Sequence, residues 1–305
     1  VSRAVRVHGW GTTPTVVDVD APTRATGESL VRVRAATVSH LDRTIWSGSF
    51  LHPPPLPYTP GVEGAGEVIE SDTLAAGQRV WMRGAGLGTA RDGTWAEVVS
   101  APDAALGPLP DTVPDELGAA FFSPCTSAWV ALHHVAGLGE GDRVLVTGAN
   151  GAVGSIAVQL AAEAGAEVHA TSTRAVAVPD GVRAHVGEPG TEVEVDVVVD
   201  TVGGPVLEAC LPRVARGGRV VLVGYVGGTT VSLDVAALIQ RDTSLLPLNM
   251  IAREGQGRAA VPELLERLGD GRLSLATTSF PLDDVAAALA WLGERGRTGR
   301  AVVRP

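Results

Sequence analysis

The chain contains no lysine: all 24 of its basic residues are arginine. That excludes a P-loop, a pyridoxal Schiff base and a Tyr-x-x-x-Lys reductase centre. Each needs the amine itself, and a guanidinium neither attacks a carbonyl nor gives up its proton. Cysteine is almost as scarce. Cys125 and Cys210 make no disulfide framework and suggest a reducing compartment. No apolar run approaches the ~20 residues that a membrane helix needs, and no basic-then-apolar leader follows Val1. The missing initiator Met suggests a trimmed start, and the expected location is cytoplasmic. A formal net charge of −10 argues against nucleic acid or an anionic membrane as the main partner.

With 305 residues, 45% of them apolar, the chain has material for two domains with sizeable cores. Its most informative stretch runs from Arg143 to Gly154. Arg143-Val144-Leu145-Val146 reads as a buried strand. It enters a turn, Thr147-Gly148-Ala149-Asn150-Gly151-Ala152-Val153-Gly154, with glycines at 148, 151 and 154. Val153, Ile156, Ala157, Leu160, Ala161 and Ala164 then repeat at helical spacing, and Gly165 stops them. Strand, glycine turn and helix form the phosphate-binding unit of a dinucleotide fold. Gly148, Ala149, Asn150, Gly151, Ala152 and Val153 are the predicted cofactor contacts, because glycines let a pyrophosphate approach and the helix start favours its charge. Further Val-rich runs at 167–172, 195–200 and 219–224 suit parallel strands covered on both faces.

The end of the run at 167–172, the second strand after Arg143–Val146, chooses the cofactor. An acid there would hydrogen-bond the ribose 2′-hydroxyl of NAD. Ser172, Thr173 and Arg174 stand there instead, and two hydroxyls with a guanidinium suit a 2′-phosphate. The expected cofactor is NADPH.

Residues 1 to about 115 read mostly as β, with strands expected at Arg3–Val7, Leu30–Ala35, Gly66–Glu70, Arg79–Met82 and Trp95–Val99. Pro102, Pro108, Pro110 and Pro114 mark a stiff connector. After about residue 240 come helices near Ala259–Leu268 and Asp284–Glu294 and a closing strand at Gly299–Arg304.

Several segments resemble the medium-chain dehydrogenases/reductases: Pro60-Gly61-Val62-Glu63-Gly64-Ala65-Gly66-Glu67-Val68, Gly77-Gln78-Arg79-Val80, Gly93-Thr94-Trp95-Ala96-Glu97, Ser127-Ala128-Trp129, Asp200-Thr201-Val202-Gly203-Gly204 and Thr298-Gly299-Arg300-Ala301-Val302. Leu56-Pro57-Tyr58-Thr59-Pro60-Gly61 is similar to the zinc-independent quinone oxidoreductase, or zeta-crystallin-like, branch. The resemblance runs in order along nearly the whole chain. It implies an α/β protein with a Rossmann nucleotide-binding domain (116–254) inserted in a GroES-like β-rich catalytic domain (1–115, completed by 255–305). The active site would lie in the cleft between them. It also implies cofactor contacts at Ser127, Gly224, Tyr225, Leu248, Asn249 and Arg300.

Zinc-dependent relatives have His where Val62 stands and a Cys near the position of Ser39, and their structural zinc uses four closely spaced cysteines. A catalytic zinc needs three good protein ligands. His133 and His134 are adjacent, so a helix directs them apart. No metal is expected. Without one, the acceptor must be activated by its own conjugation and by a hydrogen-bond donor at the oxygen that gains charge.

Val38–Gly48 lies where the family lines its nicotinamide pocket. Quinone oxidoreductases commonly carry Asn, Pro and Tyr where this chain has Ser39, His40 and Thr44. The candidate donors are therefore Ser39, His40, Thr44 and Tyr58, with His40 able to titrate near neutrality. Asp42 is expected to orient the loop. The family usually places a helix, a strand and a second helix between Arg174 and Val195; this chain has only Ala175–Glu194, so the adenosine side is trimmed.

The leading reading is an NADPH-dependent, zinc-independent reductase of a quinone or conjugated carbonyl (an enone). An enoyl-thioester or polyketide-intermediate reductase is the alternative, although polyketide enoyl reductases use a Lys in proposed proton donation and none exists here. The third reading is an NADPH-binding protein without turnover. Leu245–Ile251, apolar and uncharged, is expected at an exposed sheet edge that joins a homodimer.

Overall fold

A computed structural model describes residues 1–294 and 296–305. The chain forms two compact units, one from Val1–Phe122 with Leu265–Pro305 and the other from Ser123–Leu264. In chain order the first unit opens with β1 (Ser2–Arg6), β2 (Thr15–Val19), β3 (Glu28–Val38), α1 (His40–Trp46), β4 (Glu63–Glu70), β5 (Arg79–Arg83), β6 (Val98–Pro102), β7 (Leu106–Pro108) and α2 (Asp115–Ala120). Next come α3 (Phe122–Trp129), β8 (Arg143–Val146), α4 (Ala152–Glu163), β9 (Glu167–Ser172), β10 (Arg183–Val186), β11 (Val195–Asp200), α5 (Gly204–Cys210), β12 (Val214–Leu222), α6 (Val235–Arg241), β13 (Ser244–Pro247) and α7 (Glu254–Gly269). The first unit is completed by β14 (Thr277–Pro281), α8 (Val285–Trp291) and β15 (Arg300–Arg304).

β3 organises the first unit. Val31 and Val33 are buried while Arg32 and Arg34 are exposed, the period-two pattern of a strand with one wet face. From Ala35 to Val38 every residue is buried. β4 pairs antiparallel along one edge of β3. β6 and then β15 share the other, with Ala301 opposite Val38 and Val303 opposite Ala36. The closing strand thus joins the sheet beside the segment that leads into α1.

The strand expected at Trp95–Val99 begins three residues later, at Val98. Trp95 and Glu97 use their backbones one at a time on Val5, Pro60, Arg3 and Val33, so no continuous ladder forms there. Trp95 is instead an anchor: its indole is fully buried and donates to the Thr37 carbonyl at 2.7 Å. The proline-rich stretch is also no plain connector, because β7 within it pairs with β5.

The second unit is a six-stranded sheet in the order β10-β9-β8-β11-β12-β13, every pair parallel. The chain starts at β8, moves outward to β10, then returns to β11 and builds the other way. That reversal leaves a crevice at the carboxyl ends of β8 and β11, where open α/β sheets bind ligands. The Val-rich strands are buried as expected: Val144, Leu145, Val146 and Val197, Val198, Val199 have no exposed surface. Between β9 and β11 the strand survives as β10, and among the described residues neither connection carries a helix. Cys125 and Cys210 are buried and form no disulfide with each other.

Candidate functional site

The glycine turn closes β8 onto α4. Gly148 takes φ 65°, a left-handed conformation that favours glycine, and accepts from the Gly151 amide at 2.8 Å. A Cβ on Gly154 would lie 2.2 Å from the Gly148 carbonyl oxygen, so helix and turn meet there with no room for a side chain. Gly151, at φ −76° and ψ 163°, needs no special backbone, and a Cβ on it would meet only the Gly148 carbonyl oxygen, at 3.2 Å. The conformational demand of this turn thus falls at 148 and not at 151. No side chain caps α4. Its first-turn amides at Ala152 and Val153 therefore lie beyond intrahelical carbonyls and suit an anion. The Ala149 amide is already used, on the Thr171 carbonyl at 2.9 Å.

At the end of β9 the three predicted residues divide. The Ser172 hydroxyl donates to the Arg174 carbonyl, so it shapes the turn. Thr173 and Arg174 are exposed, and the Arg174 side chain has no partner among the described residues. The Gly187 amide on the Ser172 carbonyl, at 2.8 Å, ties the β10 end to this point.

Across the crevice, Thr147 and Asp200 form a lock that the sequence reading missed. The Thr147 hydroxyl donates to Asp200 at 2.5 Å, and the amides of Val202 and Gly203 donate to the same carboxylate. Burial raises the Asp200 pKa, while these bonds favour its ionised form. The Thr201 hydroxyl returns to the Thr147 carbonyl at 2.7 Å. Gly224 lies against this lock, since a Cβ there would sit 2.2 Å from the Thr201 carbonyl oxygen. Tyr225 follows, largely exposed. The Leu248 amide donates to the Leu222 carbonyl, and Asn249 Oδ1 accepts from the amides of Ile251 and Ala252. Ser127 is half-buried on α3. Arg300 lies in the other unit, buried, with Glu63 at 2.9 Å and the Ala120 carbonyl at 3.2 Å.

In the first unit the four donor candidates meet different fates. Ser39 is the N-cap of α1 in a capping box: its hydroxyl donates to Asp42 at 2.5 Å and its amide donates to the same carboxylate at 2.9 Å. Asp42 also accepts the Val62 amide at 3.0 Å, which couples α1 to the Pro60–Glu63 segment. This is the orienting part expected of it. Burial pushes its pKa up to about 6 against those bonds. The Thr44 hydroxyl donates to the His40 carbonyl at 2.9 Å. Tyr58 is buried, packed near Val7, Ile45 and Val62, and its hydroxyl has no partner among the described residues; burial raises its pKa.

His40 differs from the expectation that it titrates near neutrality. Its Nε2 lies 2.6 Å from Nη2 of Arg297. A guanidinium only donates, so Nε2 accepts and the proton of the neutral ring sits on Nδ1. Desolvation, with Arg297, Arg43 and Arg300 nearby, holds the ring's pKa down to about 4. One edge of the residue is nonetheless exposed, and Nδ1 has no partner among the described residues. Arg297, which nothing in the sequence marked, thereby fixes the ring. Of the four candidates, His40 alone is an exposed residue with a donor that has no partner among the described residues.

The donor set does not fit a catalytic zinc. Val62 offers only hydrocarbon where relatives offer a ligand, and the Ser39 hydroxyl is closed on Asp42. Among the described residues no three His, Cys, Asp or Glu side chains gather as ligands. His133 belongs to a wide helical turn, Val130–Ala136, with its ring 4.2 Å from that of Trp129.

The alcohol dehydrogenase GroES-like domain family matches residues 25–111, and the zinc-binding dehydrogenase family matches residues 165–303. The chain is 30% identical to the quinone oxidoreductase-like protein 2 homolog of Nematostella vectensis, across 99% of this chain and 88% of that protein. It is 29% identical to a phenolphthiocerol/phthiocerol polyketide synthase of Mycobacterium tuberculosis, across 80% of this chain and 12% of that far longer protein. Among solved structures, the quinone oxidoreductase from Thermus thermophilus, determined also in complex with NADPH, superposes with a TM-score of 0.83 at 29% identity, covering 99% of this chain and all of that one. A GroES-like unit built from both ends of the chain, a parallel Rossmann sheet with its glycine turn, and these relatives identify the chain as a member of the medium-chain dehydrogenase/reductase superfamily, an oxidoreductase with quinone oxidoreductase-like homologues.

Proposed function

We propose that the protein is an NADPH-dependent, zinc-independent reductase that transfers hydride to a quinone or conjugated carbonyl. The observation that carries this reading is the uncapped start of α4, with glycines 148 and 151 before it and Gly154 in its first turn, joined to a β9 end that has an exposed arginine and no acid. The amides of Ala152 and Val153 would hold the pyrophosphate, and Arg174 with Thr173 would hold a 2′-phosphate. The likeness to a quinone oxidoreductase solved with NADPH supports the same choice.

When bound, the cofactor supplies the hydride. What this chain adds is position and one hydrogen bond. Asp42 holds the start of α1, and Arg297 holds the ring of His40. The Nδ1–H of His40 is the donor we assign to the acceptor oxygen as negative charge develops there. A neutral imidazole suits this task, because it stabilises the oxygen without first needing a proton from solvent. Val62 and Ser39 offer no Lewis acid site, so the acceptor's conjugation must lower the barrier. Stopped-flow NADPH oxidation against quinones, enones and enoyl thioesters tests the proposal.

The polyketide synthase match favours a second reading, enoyl-thioester reduction by the same hydride chemistry. The self-contained bonds of Ser39 and Thr44 favour a third, NADPH binding without turnover.

A homodimer through β13 completes the proposal. β13 is the sheet edge, α6 beside it buries none of its residues, and Val235, Ile239 and Ile251 are 61%, 74% and 86% exposed. Light scattering should give about twice 31.2 kDa, and charges at Leu246 and Leu248 should split the pair. A monomer in the unmodified protein would refute it. Among the described residues no helix is long and apolar enough to cross a membrane.

A further inference from the structure

We propose that Asp200 is a positioning residue for the nicotinamide half of the cofactor: its carboxylate ties the loop after β11 to the end of β8 and so fixes the wall which that half of the dinucleotide meets. This role rests on the reading of the chain as a dinucleotide-binding reductase, and it belongs to a residue which that reading does not use.

The topology gives the side. Pyrophosphate at the start of α4 and adenosine at the β9 end occupy one half of the crevice. A dinucleotide binds across the point where strand order reverses, so its other half falls toward the carboxyl ends of β11 and β12. Three backbone segments converge there: the glycine turn at Gly148, the loop 201–204 and the loop 223–228. Gly148 abuts the first of the two loops, since a Cβ on it would lie 2.6 Å from Thr201 Oγ1. The loops also abut each other. The Gly227 amide donates to the Val202 carbonyl at 2.7 Å, and a Cβ on Gly204 would lie 2.7 Å from the Gly227 carbonyl oxygen.

Asp200 is where these segments are joined. It is the last residue of β11 and has no exposed surface. Its backbone carbonyl accepts the amides of Val223 at 2.9 Å and Gly224 at 3.2 Å, which holds one loop. Its side chain holds the other: Oδ1 accepts the Thr147 hydroxyl and the Val202 amide, and Oδ2 accepts the Gly203 amide. This arrangement requires a carboxylate. Thr147 Oγ1 already accepts the Thr201 amide at 3.0 Å and gives its own proton to Asp200. The side chain therefore meets donors on both of its oxygens. The amide nitrogen of an asparagine would face the N–H of either Gly203 or Val202, and a donor against a donor forms no bond.

The phosphate end is built separately. The turn closes through the Gly151 amide on the Gly148 carbonyl, and α4 begins with the Ser155 amide on the Gly151 carbonyl at 2.9 Å. Loss of the Asp200 bonds thus loosens the wall made by 201–204 and 223–228 and leaves the amides of Ala152 and Val153 in place. A carboxylate that only held the fold together would show no such division, and its loss would weaken every part of the cofactor alike.

The test compares NADPH with 2′-phospho-ADP-ribose, which lacks only the nicotinamide. In calorimetric titration, Asp200→Asn should weaken NADPH by roughly tenfold, the worth of about one hydrogen bond, and leave 2′-phospho-ADP-ribose within about twofold of the unmodified protein. Thr147→Val keeps the carboxylate and removes one donor, so it should show the same division even where Asp200→Asn fails to fold. Thr147→Ser keeps the hydroxyl and should restore NADPH affinity. Equal weakening of both ligands in these variants would overturn the proposal, because the lock would then serve the fold or the phosphates. Unchanged NADPH affinity in Thr147→Val would overturn it as well. If the unmodified protein prefers NADH, then NADH and ADP-ribose replace the pair and the same outcomes decide. If it binds no dinucleotide at all, the cofactor reading itself fails, and the role of Asp200 falls with it.

Discussion

His40 accepts a hydrogen bond from Arg297 across 2.6 Å, and that contact decides which proton the ring can offer. With Nε2 occupied and the pKa held to about 4, the ring is neutral through the physiological range and carries its proton on Nδ1. The rate with a neutral acceptor should accordingly show no break near pH 6.5. His40→Phe should lower kcat/KM by roughly tenfold, the worth of about one hydrogen bond of ~1–1.5 kcal/mol. Steady-state kinetics from pH 5 to 8 check both points, and a break near 6.5 that vanishes in the variant would show that His40 acts as an acid after all.

Asp42 predicts the pH dependence of stability. Its folded pKa of about 6 exceeds the ordinary value of 3.8, so between those values the folded state binds the extra proton. Stability from this group is present at the acid end of the window and is lost as pH rises through 6. Relative to Asp42→Asn, the wild type should lose about 2 kcal/mol between pH 4 and 7. His40 acts in the opposite sense, since its lowered pKa costs stability as pH falls below 6.5. Urea unfolding of both proteins at several pH values measures the difference, and a constant difference would mean Asp42 is not raised.

Arg174 predicts cofactor choice. NADPH should bind at least tenfold more tightly than NADH, because a charge-assisted contact is worth roughly 1.5–3 kcal/mol, or about one to two decades. Arg174→Ala should remove most of that preference. Titration calorimetry decides, and equal affinities in the unmodified protein would contradict the assignment.

The glycine turn separates binding from folding. Gly151→Val should keep the thermal midpoint within a few degrees and abolish NADPH binding, because φ −76° is open to any residue while the side chain would stand where the phosphates belong. Gly154→Val should lower the midpoint sharply, since its Cβ would lie 2.2 Å from the Gly148 carbonyl oxygen. Unchanged NADPH affinity in Gly151→Val would place the phosphates elsewhere.

Local patterns carried much of this fold in the sequence. β9 and β11 begin and end where the runs at 167–172 and 195–200 put them, because each is specified by its own side chains. The alternation at Val31 and Val33 likewise marked the wet face of β3. The misses share a physical origin in contacts distant along the chain. β6 is shifted because Trp95 is claimed by Thr37 and its neighbours by several strands. The donor candidates were chosen by residue type, yet Ser39 and Thr44 spend their protons on neighbours three and four positions away. The charge of His40 depends on Arg297, 257 positions along the chain, and no local pattern reports such a pairing.

The central claim is hydride transfer from NADPH to a conjugated acceptor without zinc, and stopped-flow absorbance of NADPH mixed with quinones, enones and enoyl thioesters in excess chelator measures it directly. The account predicts acceptor-dependent loss of NADPH absorbance, faster than with NADH at equal subsaturating concentration and unchanged by the chelator. Tight NADPH binding with no oxidation by any acceptor, or activity that disappears on chelation and returns with zinc, would contradict it.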